Sequence, residues 1–504
     1  MFRTPEPPSP LPLESNVKSV LEWLALAHGR SGSDDAEALH QQLLSLRESP
    51  LPCAQRLKLL DLLYGQAQRI ALHEARSLNE ISLPISRKLR QRLRILLDLL
   101  ATLTQDYFNT LAEIFDPQGP SVSKIPHLSL RRAMHTIAWQ LRVTQLIAAP
   151  NPIGLWQQLH SAFSTARRLG LDEFPGPNGS ACIRRLYTNI LLAAIAQPSS
   201  FSSGELEFIG EYIANSTPDI KLTDTPPRDR HGIFWIDASR DFPGHALTRR
   251  IPGPDTPALY FACDEVAEVA LRHHQELLKG ASSEALGLPA FADTHTGPGV
   301  LLRLNQLWGH PAKRKFPRRR QSYRAHLCPG LDNLWKLIKF PGEAPGMSEW
   351  MVINESPEGY ALMHMSGHTQ NLRVGDIVAM QATDDRVQPP QTWHICLIRW
   401  AISENPEHIE IGLQILAPKA VAVEVATPTR LESGKAAALI LPATPPLRPH
   451  QSLVVPTGLL DRQMRRVVIL LEGNNLNVRE LRPTGLDEQS SSVEIFSVSS
   501  DDST

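Results

Sequence analysis

Between residue 15 and about residue 220, apolar positions recur at helical spacing. Val17, Val20, Leu21 and Leu24 fall at i, i+3, i+4 and i+7 and share one face. Residues 55–78 place Leu59, Leu60, Leu63 and Ile70 in the same way, and 86–115 form a long apolar-striped run. Further helical segments are predicted at 130–148, 155–169, 183–196 and 203–214, joined by short Pro, Gly and Asn punctuation. Trp156, Leu159, Phe163 and Ala166 are spaced rather like the first helix of a tetratricopeptide unit, but no repeat of about 34 residues follows. The pattern predicts an irregular helical bundle or array.

Near residue 220 the period changes. Pro226 and Pro227 interrupt the helices, and 232–237 (GIFWID) and 258–262 (ALYFA) read as short strands. A helix is predicted over 264–279, then a Gly/Pro-rich loop and the apolar run 300–308. Residues 350–417 alternate as strands do, and 437–499 are again β-rich. The expected architecture is an α+β multidomain chain. Its predicted parts are a disordered lead (1–14), a helical domain (15–220), a mixed connecting region (221–309), a β-barrel (310–420), a β-rich segment (437–499) and a frayed tail (500–504). The pattern leaves open whether 437–499 is a second barrel or an extension of the first.

Composition narrows the class. A chain of 504 residues exceeds one ordinary core, so several domains are expected. Lys+Arg (51) and Asp+Glu (52) balance, so an anionic partner must be caught by a local patch. Prolines number 42, in keeping with many loops. The five cysteines, Cys53, Cys182, Cys263, Cys328 and Cys396, are scattered without a C-x-x-C, which indicates neither a disulfide framework nor a zinc ribbon. The Pro-rich start lacks the apolar core of a signal peptide, and no apolar run reaches membrane length, so a cytoplasmic protein is expected.

Residues 313–324 read KRKFPRRRQSYR, with seven cations and no acid. Such a run can be a solvated linker, a nucleic-acid or membrane patch, or a site for a small phosphorylated ligand, because guanidinium grips phosphate bidentately and stacks on bases. Downstream, residues 350–362 read WMVINESPEGYAL: a strand, a polar turn closed by Gly, and a second strand. Asn354 and Ser356 can hydrogen-bond base edges or their own turn, and Gly359 permits a close approach that a Cβ would hinder.

Together these elements resemble the PilZ domain family, whose signature is R-x-x-x-R followed some tens of residues later by (D/N)-x-S-x-x-G. Arg320-Gln-Ser-Tyr-Arg324, preceded by Arg319, supplies the first part, and Asn354-Glu-Ser-Pro-Glu-Gly359 the second. Residues 372–378 (LRVGDIV), 396–400 (CLIRW) and 412–416 (GLQIL) resemble the strands that follow. The resemblance covers about 110 residues. It implies a six-stranded antiparallel barrel entered by a flexible arginine arm that wraps over cyclic di-GMP. Arg320 and Arg324 would hold phosphate or guanine with Arg319 as helper, Asn354 and Ser356 would read a guanine edge, and Gly359 would keep the turn compact. Two departures stand out: a long Pro/Gly-rich connection at 331–346, and Pro357 with Glu358 in the turn.

A cyclic di-GMP sensor without catalytic activity is therefore expected. Ligand would order the arm at 313–324 and change the packing against the helical region, which would serve a protein partner. The resemblance places such a system in motility, adhesion or biofilm control. A ligand-independent PilZ-like scaffold and a nucleic-acid patch at 313–324 are the alternatives. No Walker loop, Rossmann fingerprint or G-x-S-x-G occurs. Adjacent His273 and His274 face different directions on a helix, and Asp293 with His295 lacks a second ligand cluster, so no metal is expected.

Overall fold

The computed structural model describes residues 17–500 apart from 27–31, 79–80, 115–125, 229, 312–315, 341–345, 367–368, 370, 384–391, 406–407, 427–434, 446–447, 461–465 and 473–475. The predicted lead at 1–14, the tail from 501 and the first cations of the basic run (Lys313, Arg314, Lys315) lie outside the described residues.

Among the described residues eight α-helices come first: α1 (Val17–Leu26), α2 (Gly32–Glu48), α3 (Cys53–Ser77), α4 (Arg87–Ile114), α5 (Pro126–Leu146), α6 (Leu155–Arg168), α7 (Ile183–Ile195) and α8 (Ser203–Ser216). Helix α2 was absent from the sequence expectation. It buries only one narrow stripe, Ala36, Leu39, Leu43 and Leu46, among Glu, Gln and Ser. Asp34 and Asp35 in its first turn favour its N-terminus electrostatically. Helix α8 starts at a capping box in which Ser202 and Glu205 satisfy each other's backbone N–H groups.

A three-stranded antiparallel sheet follows, β1 (Ile233–Asp237), β2 (His245–Ala246) and β3 (Ala258–Ala262), in the order β2-β1-β3. With α9 (Asp264–Leu278) and α10 (Gly297–Gly309) it shares one hydrophobic core with α5–α8, through residues such as Phe208, Tyr212, Phe261 and Trp308.

The strands that follow form two closed antiparallel barrels. The first comprises β4 (Arg319–Pro329), β5 (Ser348–Ser356), β6 (Gly359–Ser366), β7 (Ile377–Thr383), β8 (His394–Asn405) and β9 (His408–Ala417), closed in the order β4-β5-β6-β9-β8-β7. The second comprises β10 (Val421–Ala426), β11 (Ala436–Leu441), β12 (Ser452–Pro456), β13 (Val467–Glu472), β14 (Leu476–Gln489) and β15 (Val493–Ser500), closed in the order β10-β11-β12-β15-β14-β13. The β-rich segment expected at 437–499 is thus most of a second barrel, which also takes in β10 (Val421–Ala426) ahead of it.

The long connection noted at 331–346 begins as helix α11 (Leu331–Lys339). Its Leu331, Leu334 and Leu337 are spaced for one face, and they pack with Ile377, Ile395 and Leu416 of the first barrel and Leu439, Leu441 and Ile495 of the second. Trp335 Nε1 donates to the Val423 carbonyl at 2.9 Å, and Arg399 of β8 pairs with Glu488 of β14. The connection is therefore an element that fastens one barrel to the other.

The helical region meets the first barrel at one end. Leu83 and Leu372 exchange backbone hydrogen bonds of 2.8 and 3.0 Å. The Ser403 N–H donates to the Ala148 carbonyl at 2.8 Å, and Arg90 donates to Ser403 Oγ and the Glu404 carbonyl at 2.9 and 2.8 Å. These contacts gather at the β6–β7 connection and the β8–β9 hairpin.

Candidate functional site

The other end of the first barrel carries the predicted site residues. Strand β5 and strand β6 are joined through Pro357 and Glu358 alone, with Ser356 paired to Gly359 and Ser356 Oγ donating to the Gly359 carbonyl at 3.3 Å. Gly359 is required by closure of the barrel. A Cβ there would lie 1.9 Å from the carbonyl oxygen of Leu413 on β9. The adjacent Ile415 N–H donates to the Glu358 carbonyl at 2.9 Å, which locks the hairpin down onto β9.

Arg319, Arg320 and Arg324 stand on β4, in a ladder with β5, and not on a free arm. The reason is the alternation that follows them. Tyr323, Ala325 and Leu327 point into the barrel core, so the segment from Arg319 onward is held as a strand by burial and pairing. Arg319 is opposite Glu355, Arg320 opposite Asn354 and Arg324 opposite Met351, with a bulge between Arg320 and Tyr323. All three arginines are exposed. Arg324 donates to Glu349 Oε1 at 2.9 Å, whereas Arg319 and Arg320 have no side-chain partner among the described residues.

Strand pairing sorts the neighbourhood into two faces, because residues directly opposite each other share a side of the sheet. Val352 faces the core with Tyr323 and Leu362. A register shift between Val352 and Asn354 then reverses the alternation, so Glu355 lies opposite Tyr360, whose own partner is the buried Leu413. Asn354 is instead opposite Ala361, which pairs with Gly412 on the outer face, where Trp400 covers Gly412. The outer face therefore gathers Arg320, Arg324, Asn354 and Ser356 on two adjacent strands. The Asn354 side-chain oxygen is shielded and has no hydrogen-bond partner among the described residues. An unmet buried acceptor is costly, and such groups cluster where a ligand or water completes them.

The inner face opens at the barrel mouth into a cavity of about 340 Å³ lined by Tyr323, Glu355, Tyr360, Met380, Ala382, Thr392 and His394. Both Glu355 oxygens are engaged, one by Gln321 Nε2 and one by the Tyr323 hydroxyl, each at 2.9 Å. The Tyr360 hydroxyl and His394 Nδ1 are 2.8 Å apart. Burial, and then the Glu355 carboxylate, raise the Tyr323 phenol above its ordinary range, and burial raises Tyr360 in the same way. Burial lowers His394, favouring its neutral form, so its Nδ1 can accept from Tyr360. Sequence reasoning passed over these residues. Tyr323 and Glu355 are variable positions inside the two motifs and Tyr360 directly follows the second, so a signal existed. His394 is brought in by β8 and has no local signal.

The other sequence candidates sit in separate surroundings. His273 bonds the Tyr212 hydroxyl and His274 the Pro298 carbonyl, at 3.0 and 2.7 Å, while Asp293 accepts from Ser283 N and Oγ at 2.7 and 2.6 Å. All five cysteines are free thiols. Among the described residues no group of three His, Cys, Asp or Glu side chains could hold a metal ion, and no helix is long and apolar enough to cross a membrane.

Two family models match the chain. The N-terminal domain of the cyclic-di-GMP receptor FimW matches residues 18–228, and the middle PilZ domain of the same receptor matches residues 342–421. The second match contains Asn354, Ser356 and Gly359 and begins after the arginine strand. Among curated proteins, the "Cyclic-di-GMP receptor FimW" of Pseudomonas aeruginosa is 20% identical over 550 residues, covering 92% of this chain and 89% of that protein.

Proposed function

Since its first barrel belongs to the PilZ domain family, we propose that this chain is a receptor for cyclic di-GMP, bound on the outer face of β4 and β5. The observation that carries the reading is the ladder that sets Arg320 directly opposite Asn354, with Arg324 further along the same strand. The exposed guanidinium groups of Arg320 and Arg324 on that face supply charge for the two phosphates and flat faces for guanine, and Arg319, opposite Glu355, adds a cation at the barrel mouth beside them. Asn354, with its unmet buried oxygen, and Ser356 supply directional contacts to a base edge. Gly359 acts indirectly, by letting the hairpin close onto β9.

The response to ligand is also part of this reading. The site and the helical contacts occupy opposite ends of the barrel, separated along β9 by the six residue steps from His408 to Gln414, about 20 Å of strand. Ligand therefore does not touch the helical region directly. It acts through β4, whose start follows α10 after residues 310–318, so that a change in β4 alters how α10 and its neighbours present a surface to a protein partner. Motility, adhesion or biofilm control is the process that the family resemblance favours.

The test is calorimetric titration of the full chain with cyclic di-GMP, beside Arg320→Ala/Arg324→Ala and a GTP control. Wild-type protein should bind saturably, with affinity reduced about 100-fold or more in the double variant, since each lost charged contact is worth about 1.5–3 kcal/mol. Hydrogen exchange of residues 300–330 should slow on saturation. A folded wild-type chain that does not bind would move the assignment to a ligand-independent scaffold. Binding that collapses with salt and ignores the base would move it to a nucleic-acid patch.

A further inference from the structure

The cavity at the barrel mouth lies on the other side of the same two strands and shares their residues. Glu355 sits between Asn354 and Ser356 in sequence, yet the register shift turns it inward while its neighbours face out. Its carboxylate is held by Gln321 and Tyr323, one donor to each oxygen. A carboxylate accepts about four hydrogen bonds, so two donors fix its orientation and leave acceptor capacity on both oxygens. Tyr323 and Tyr360 supply aromatic walls, Met380 a deformable apolar one, and His394 a ring whose Nδ1 is engaged by Tyr360. At about 340 Å³ the cavity falls within the range of small-ligand sites.

We propose that this mouth is a base pocket in which one guanine of the cyclic dinucleotide is seated, with Glu355 accepting from the N1–H and the 2-amino group. The proposal rests on the receptor reading and deepens it, adding a specificity-determining residue outside the signature positions. The chemistry selects guanine. Its N1–H and 2-amino group are adjacent parallel donors that match the two oxygens of one carboxylate, whereas adenine turns a bare N1 acceptor toward them. Aromatic walls stack on the flat face of the base without regard to its identity, so the carboxylate does the discriminating. The two-residue hairpin forms a thin rim between the faces beside Glu355. A ring-shaped ligand gripped by Arg320 outside can therefore hang one base over it.

The experiment is calorimetry on the full chain with cyclic di-GMP, its inosine analogue (no 2-amino group) and cyclic di-AMP, for wild type and Glu355→Gln. Wild type should bind the guanine ligand about 10-fold or more tighter than the inosine one and reject the adenine one. Glu355→Gln should weaken cyclic di-GMP binding about 10- to 100-fold and bring the guanine and inosine affinities together. Equal wild-type affinity for the guanine and inosine ligands would overturn the pocket, and that comparison needs no variant to fold. So would a Glu355→Gln protein that binds as wild type does. In either case, binding still abolished by Arg320→Ala/Arg324→Ala would leave the receptor reading standing. A wild-type chain that binds none of the three ligands would overturn both.

Discussion

The two barrels run through the same strand order, first-second-third-sixth-fifth-fourth, yet they are furnished differently. In the first, the opening strand starts with two arginines, the second and third strands meet in a two-residue hairpin, and the mouth is lined by Tyr323, Glu355, Tyr360 and His394. In the second, the opening strand is Val-Ala-Val-Glu-Val-Ala, and the matching connection runs through the ten residues 442–451. Its core, Val423, Val425, Ile440, Leu453, Val455, Ile469 and Leu481 among others, is aliphatic. One topology thus carries the proposed ligand face in one copy and an aliphatic core in the other. What separates them is a few side chains and the register shifts in the β4–β5–β6 ladder, which is why the fold by itself does not assign the activity.

The sharpest way to break the comparison is a pair of glycines. At Gly359 a Cβ would collide with a backbone oxygen, which cannot move without opening the β6–β9 ladder. At Gly485, on β14 of the second barrel, a Cβ would meet open space. Gly359→Ala should cost more than about 3 kcal/mol in chemical denaturation and abolish cyclic di-GMP binding with it. Gly485→Ala should change stability by less than about 1 kcal/mol. Similar losses at the two positions would mean that the hairpin is not closed against β9 as described.

A smaller effect tests whether the barrels are one unit. Leu334 on α11 is fully buried between them. Leu334→Ala should cost about 2–4 kcal/mol. The loss belongs to the junction, so calorimetric melting should broaden or split into two transitions, while ligand affinity at the far mouth stays within about threefold of wild type. A single sharp transition merely shifted to lower temperature would argue that α11 is part of the first barrel's core alone.

How much of this was legible in the sequence depends on how local the information is. The long helices announce themselves because Leu59, Leu60 and Leu63 or Trp156, Leu159 and Phe163 repeat at a fixed spacing. The first barrel is legible because its hairpin is encoded by six adjacent residues, Asn354 to Gly359. Helix α2 and helix α11 were missed because each buries only a three- or four-residue stripe, and in α11 the stripe begins immediately after a Pro-Gly pair. The strand character of Arg319–Arg324 was hidden because exposed arginines look alike on an arm and on a strand. Only pairing with β5 distinguishes them, and pairing is non-local. The inward turn of Glu355 was also invisible. It depends on a register shift, and strict alternation would have placed Glu355 outside with Met351 and Ile353.

The weakest of the three effects concerns protons and again divides the barrels. His394 contributes to the mouth of the first barrel, while β10–β15 contain no histidine. Burial holds His394 below its ordinary value of 6.5. As pH falls through that value, the unfolded chain takes up a proton that the folded barrel resists, so the free energy of unfolding must decline. The stability that His394 contributes is therefore present at neutral pH and is lost on acidification toward the lowered folded value. The first barrel should accordingly lose hydrogen-exchange protection between pH 7.5 and 5.5 relative to the second, and His394→Gln should reduce that difference. A difference unchanged by the substitution would place the acid sensitivity on other groups and leave the Tyr360–His394 pair as packing alone.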